Sequence, residues 1–211
     1  MADPGEEFVN ALVDLDETKC IELLNQRIAA KEDPLLILED IRKATDIVGK
    51  RFEEGRYFVS DLMMVGEILS QAMVILKPVF GEHKVASRGT IVVGTVEGDV
   101  HDIGKNIVTA LLEAEGFTVV DIGVDQPPEV FVKAIQEHHP VVVSMSGLLT
   151  EAIESMKKTV DAIKAAGLRD KVKIIIGGGR CDEEAREHTG ADEWADDAAV
   201  GIRKIKAMSG A

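Results

Sequence analysis

Apolar positions recur at helical spacing over the first eighty residues, then change to short β-branched runs that alternate with helical stretches. In the first part a short helix is predicted over Glu6–Val13. Asp16 can cap a second, in which Cys20, Ile21, Leu23, Leu24 and Ile28 form the apolar stripe. Asp33-Pro34 is a start signal, with Asp as cap and Pro in the first turn. The apolar face of this third helix is expected to be Leu35, Leu36, Leu38, Ile41, Ile47 and Val48, with Gly55 closing it. A fourth is predicted from about Ser60 to Val79, carrying Leu62, Met63, Met64, Ile68, Leu69, Met73 and Ile75. Four helices with short connections predict a bundle. Met63 and Met64 read as plain core, or as side chains turned to a ligand face.

The polar, aperiodic stretch Gly81–Gly89 is the expected linker. Beyond it, strands are predicted at about Thr90–Thr95, Phe117–Asp121, Val141–Met145, Val172–Ile176 and, weakly, Glu193–Ala195. Helices are predicted between and after them, at Ile103–Glu115, Glu129–His138, Thr150–Ala166, Asp182–Glu187 and Asp197–Met208. Five β/α units predict a doubly wound parallel sheet covered on both faces, in strand order 2-1-3-4-5. The expected fold class is therefore α/β, a four-helix bundle followed by a five-stranded Rossmann- or flavodoxin-like domain. The expected boundaries are 1–88 and 89–211. Ligands of such sheets bind at the carboxyl edge, at the switch point between the first and third strands.

The stretch that meets this edge is Ile91-Val-Val-Gly-Thr-Val-Glu-Gly-Asp-Val-His-Asp-Ile-Gly-Lys-Asn106. A β-branched strand breaks into a loop with Gly94, Gly98 and Gly104, and Asp99 and His101 stand where it passes into a helix. A neutral imidazole there could ligate a metal, with the carboxylate holding its other ring nitrogen. Taken alone, a solvated loop histidine is the plainer reading. A phosphate loop is excluded: five residues separate Gly98 from Gly104, Lys105 is followed by Asn106, and Asp99 and Asp102 would repel phosphate. A zinc site would need further ligands at recognisable spacing, and neither Cys20 nor Cys181 supplies them.

Charge narrows the partners. The chain has 24 Lys and Arg against 38 Asp and Glu, a net −14, with both halves acidic. An acidic surface without a basic tail argues against nucleic acid or an anionic membrane. Two distant cysteines make no disulfide framework and read as small buried residues. The amino terminus lacks the features of a signal peptide, and no apolar run is expected to span a membrane, so a cytoplasmic location is expected.

Two further stretches change the reading of the loop. Ser146-Gly-Leu148 follows the third strand, and Gly177-Gly-Gly179 the fourth. The pattern is Asp-x-His-x-x-Gly, 41 residues, Ser-x-Leu, 28 residues, Gly-Gly. It resembles the cobalamin-binding motif of methionine synthase and of the corrinoid proteins of methyltransferase systems, those for methylamines and methanol being nearest in organisation. The likeness runs over nearly the whole chain, since Arg51-Phe-Glu-Glu-Gly-Arg-Tyr-Phe-Val-Ser-Asp-Leu62 is similar to the region that caps the upper corrin face.

The resemblance implies a cobamide cofactor, cycling between cob(I)alamin and methylcobalamin forms of its cobalt. The cofactor's own base is expected to leave cobalt, with His101 replacing it as the metal ligand. His101 and Asp99 are then the residues closest to the chemistry, Asp99 setting the state of the histidine. Gly98, Val100, Asp102, Ile103 and Gly104 complete the binding loop. Ser146, Leu148 and Thr150 are expected to contact the nucleotide tail, and Gly177 and Gly178 to let the backbone approach it. Where methionine synthase completes a relay with a further serine, this chain has Ala152.

The function so implied is a methyl carrier without catalysis of its own. It would dock in turn with a substrate:corrinoid methyltransferase and with a second methyltransferase acting on tetrahydrofolate or a thiol. A reductive activase is a third expected partner. The bundle would swing aside about the linker. Two other readings remain at this point, a cobalamin-sensing regulator and the coenzyme-binding part of an adenosylcobalamin mutase.

Overall fold

A computed structural model describes residues 4–80 and 87–210. The expected linker Gly81–Gly89 therefore falls largely, over residues 81–86, outside the described residues. The chain divides into two compact units, Met1–Ser87 with Ala110–Gly116, and Arg88–Thr109 with Phe117–Ala211.

The first unit contains α1 (Pro4–Val13), α2 (Glu17–Ala29), α3 (Pro34–Glu53) and α4 (Val59–Leu76), followed by a 3-10 turn at Lys77–Phe80. Asp16 accepts from the Lys19 amide and Asp33 from the Leu35 amide, so both predicted caps are formed. α1 packs on α2 and α3, and α4 on α2 and α3. The helix expected to run to Val79 stops at Leu76, because Pro78 has no amide to donate and disfavours helical geometry in the residue before it.

The apolar face of α3 differs from the expected one. Its buried positions are Ile37, Leu38, Ile41, Ala44 and Val48, whereas Leu35, Leu36 and Ile47 are exposed. The buried set keeps one helical stripe, and the three outliers fall beside it. In α4, Leu62, Val65, Ile68, Leu69, Ala72 and Leu76 are buried. Met63 and Met64 are 46% and 47% exposed, so the plain core reading does not hold for them. Contrary to the expectation from the sequence, α4 is long and apolar enough to cross a membrane by length and composition alone. Eight of its 18 residues, Leu62, Val65, Gly66, Ile68, Leu69, Ala72, Met73 and Leu76, are buried within the helical unit. Arg27 is buried too, held by Glu32 at 2.6 Å and Asp40 at 2.7 Å.

The second unit has a five-stranded all-parallel sheet in the order β2-β1-β3-β4-β5. The strands are β1 (Thr90–Thr95), β2 (Thr118–Asp121), β3 (Val142–Ser146), β4 (Lys173–Gly177) and β5 (Glu193–Ala195). The helices are α5 (Ile103–Ala114), of which Ile103–Thr109 belongs to this unit, α6 (Pro128–His138), α7 (Ala152–Ala165), α8 (Glu183–Thr189) and α9 (Ala198–Ser209). Side chains alternate across the sheet. Val92, Val96, Val143, Met145, Ile174 and Ile176 form one core with Phe131, Met156 and Val160 from α6 and α7. The opposite face presents Val93, Ser144, Ser146, Ile175 and Gly177 between α5 and α9.

Strands β3 and β4 sit one residue later than expected. Ser146 and Gly177 are thereby their last members, paired with each other and, for Ser146, with Thr95. Both cysteines are buried, and burial pushes each thiol up to about 12, with Asp16 and Asp182 adding to the effect. The thiolate, which is the reactive form, is therefore disfavoured at both. Neither cysteine is expected to react with a thiol reagent in the native protein, and both should react in denaturant; rapid native labelling would contradict this burial.

Candidate cofactor site

The loop from β1 to α5 is built by a network that begins in the strand. The Asp99 amide donates to Val96 O at 3.0 Å, closing a turn in which Gly98 takes φ +84°. That conformation at the third turn position calls for glycine. The buried Thr95 hydroxyl donates to Asp99 O at 2.6 Å and accepts from the Asp125 amide at 2.8 Å. Asp125 in turn accepts from the Gly98 amide at 2.7 Å. Thr95 and Asp125 were not singled out by the sequence; their role depends on the β2–α6 loop reaching the first loop, which no local pattern shows.

Asp99 is the hub. It is fully buried, and its Oδ1 accepts from the His101 amide at 2.9 Å and faces His101 Nδ1 at 3.1 Å. Its Oδ2 accepts from the amides of Leu148 and Leu149 at 2.7 and 3.0 Å. Burial by itself would raise this carboxyl; the amides of Leu149, His101 and Leu148 and the His101 ring outweigh it and hold it below its ordinary value. Asp99 thus ties the first loop to the third. The sequence reading anticipated its bond to His101 and missed both amides, having assigned Leu148 only to the nucleotide tail.

His101 stands 47% exposed by its side chain. With Nδ1 on the carboxylate, Nε2 is the ring nitrogen left for a metal, and no hydrogen bond among the described residues occupies it. Val100, Leu148 and Leu149 are exposed apolar side chains of the same two loops, and Ile103 is another at the start of α5. Asp102 does not join the pair; its side chain takes a bond from Asn106 at 3.1 Å, and its carbonyl begins the α5 ladder. Thr150 is exposed and has no side-chain bond to this network among the described residues.

The other predicted residues lie together in a groove between α5 and α9. Gly104, Ser146, Gly177 and Gly178 line it, joined by Lys105, Val108, Ser144, Ala198 and Gly201, which the motif did not indicate. The cavity is about 100 Å³ and opens to solvent. Gly178 has a reason to be glycine within the fold itself. It has φ +131°, and a Cβ there would lie 2.0 Å from Gly147 O, so the chain's own packing demands glycine. Gly178→Ala is expected to cost roughly 2–4 kcal/mol of stability from backbone strain and overlap. Gly104→Ala, in helix α5 with nothing within 4 Å, should not lower the denaturation midpoint and should raise it slightly. Equal midpoints for both variants would contradict this geometry.

These features fit a cobamide. An oriented imidazole with an outward nitrogen would suit cobalt, exposed apolar side chains lie beside it, and a groove lined by small residues lies between α5 and α9. No cluster of three or more His, Cys, Asp or Glu side chains suited to a bare metal ion occurs among the described residues.

Comparison with known proteins gives the same direction. Residues 89–203 match the family described as B12 binding domain, and residues 5–77 match a second family of that description. Trimethylamine corrinoid protein 1 of Methanosarcina acetivorans is 33% identical over 202 residues, 94% of this chain and 94% of that protein. The dimethylamine corrinoid protein of Methanosarcina barkeri is 32% identical, covering 96% of each. Among solved structures, a cobalamin-binding protein from Desulfitobacterium hafniense is 39% identical with TM-score 0.81, covering 98% of both chains. A chain of the methanol:cobalamin methyltransferase complex from Methanosarcina barkeri is 29% identical with TM-score 0.83, covering 98% of this chain and 80% of that one.

Proposed function

We propose that this chain, which belongs to the B12-binding family of corrinoid proteins, holds its cobamide through His101 and passes a methyl group between two methyltransferases. The chain is a corrinoid protein of the methyltransferase-system kind and binds a cobamide. The identity of the axial ligand, the two partners and the cytoplasmic setting are our reading. The observation that carries it is the buried Asp99 carboxylate, which fixes the His101 ring by Nδ1 and leaves Nε2 outward.

When bound, the cobamide supplies the chemistry, a cobalt centre that accepts a methyl group when reduced and later gives it up. The chain's own part is orientation. Asp99 holds the imidazole in one tautomer and one direction, and an outer partner of this kind typically changes metal affinity or activity about 10–100-fold. Because Oδ2 is occupied by two amides, the carboxylate cannot swing away from the ring. The groove lined by Gly104, Ser146, Gly177 and Gly178 would take the nucleotide tail, keeping the cofactor attached while both methyltransferases dock.

The first partner would be substrate-specific and the second would act on tetrahydrofolate or a thiol, with a reductive activase restoring oxidised cofactor. The test is direct. The purified holoprotein, reduced, is mixed with a candidate methyltransferase and methylamines, methanol, a quaternary amine or an aryl methyl ether. One donor and partner should change the absorption spectrum of the bound corrinoid, and adding the second methyltransferase with its acceptor should reverse the change. A spectrum that no donor and partner alters would overturn the carrier reading.

A further inference from the structure

The groove between α5 and α9 differs in chemistry along its length. At the carboxyl edge of the sheet its rung is Ser146 and Gly177, with Gly178, Asp196 and Asp197 beside them. One rung deeper on the same face come Val93, Ser144 and Ile175, which are register partners on adjacent strands. The helices run back along the sheet, so one turn in from Gly104 and Gly201 they add Val108 and Ile205 to that inner end. Strand amides and carbonyls are committed to the ladder. Lys105, a cation on the wall, is committed too, its ammonium held by Asp121 and by Asn106 at 2.8 Å. Ser144 is then the one side-chain hydroxyl of the inner end, and no hydrogen bond among the described residues occupies it.

We propose that this inner end selects the lower base of the cobamide, admitting a benzimidazole-class base and disfavouring an adenine-type base, with Ser144 as the specificity-determining residue. The inference rests on the reading above that the nucleotide tail enters this groove. A benzimidazole released from cobalt bares one ring nitrogen, and one hydroxyl satisfies it. Adenine brings further ring nitrogens and an exocyclic amine. Against Val93, Val108, Ile175 and Ile205 these would be stripped of water with nothing to bond. A buried polar group left unpaired is strongly penalised, more than a good pair is rewarded.

The test is a titration of the full-length apoprotein with three corrinoids: cobalamin, its adenine-base analogue, and cobinamide, which has no nucleotide tail. Cobalamin should bind about tenfold or more tightly than the adenine analogue, and cobinamide more weakly than cobalamin. Ser144→Ala should weaken cobalamin about fivefold and leave cobinamide unchanged. The isosteric Val108→Thr, which offers adenine a second partner, should narrow the difference between the bases. Equal affinities for both bases overturn the selectivity while leaving the tail in the groove. Cobinamide binding as tightly as cobalamin overturns the placement of the tail itself. A folded Ser144→Ala variant with unchanged cobalamin affinity removes Ser144 from the account.

Discussion

Electron spin resonance of the cobalt(II) holoprotein is expected to show axial nitrogen splitting that changes when the protein is grown on nitrogen-15 histidine with unlabelled cobamide. The imidazole of His101 stands half-exposed at the carboxyl edge, with Nε2 free and Nδ1 on a buried carboxylate. An unchanged splitting would mean that the cofactor keeps its own base on cobalt and that His101 only lines the site. His101→Ala should abolish the isotope-sensitive splitting altogether. It should scarcely affect folding, since a half-exposed side chain with one side-chain bond contributes within about 0.5 kcal/mol. The variant would still take up cofactor through the groove, and its spectrum rather than its cofactor content carries the result.

Asp99→Asn is expected to do what His101→Ala does not, and lower the stability of the apoprotein. The carboxylate accepts from three amides and faces the histidine ring. Asparagine keeps one acceptor oxygen and turns an NH2 group against buried N–H donors. Leaving such donors unpaired costs roughly 3 kcal/mol in total. The pH dependence follows from the depressed carboxyl. Its folded value lies below the ordinary one of 3.8, so its stabilisation is full above that pH and is lost as pH falls through the folded value. The gap between wild type and Asp99→Asn should therefore be constant near neutrality and shrink in acid. An apoprotein midpoint equal to wild type at pH 7 would show that the third loop does not depend on this carboxylate. In the holoprotein, cobamide affinity should also fall, about 10–100-fold.

The sequence by itself determined the architecture. Period 3.6 followed by β-branched runs of four to six residues leaves little choice but helices and then a parallel sheet, and the order 2-1-3-4-5 is the one formed. Asp99, His101, Ser146 and Gly177 were picked out by the resemblance to the corrinoid-protein motif; Ser146 and Gly177 end their strands, and Asp99 and His101 lie in the loop between β1 and α5. Only the tertiary structure decided the rest. Leu148 and Leu149 bind Asp99 by backbone amides, and an amide carries no sequence signal, so the hub of the site looked like a simple pair. Ser144 and Val108 read as ordinary strand and helix positions until β1, β3 and β4 came into register beneath α5 and α9. Leu35, Leu36 and Ile47 show the reverse case. Their apolarity fitted a buried stripe, yet which of several possible stripes on a helix faces the core is set by its neighbours and not by its own residues.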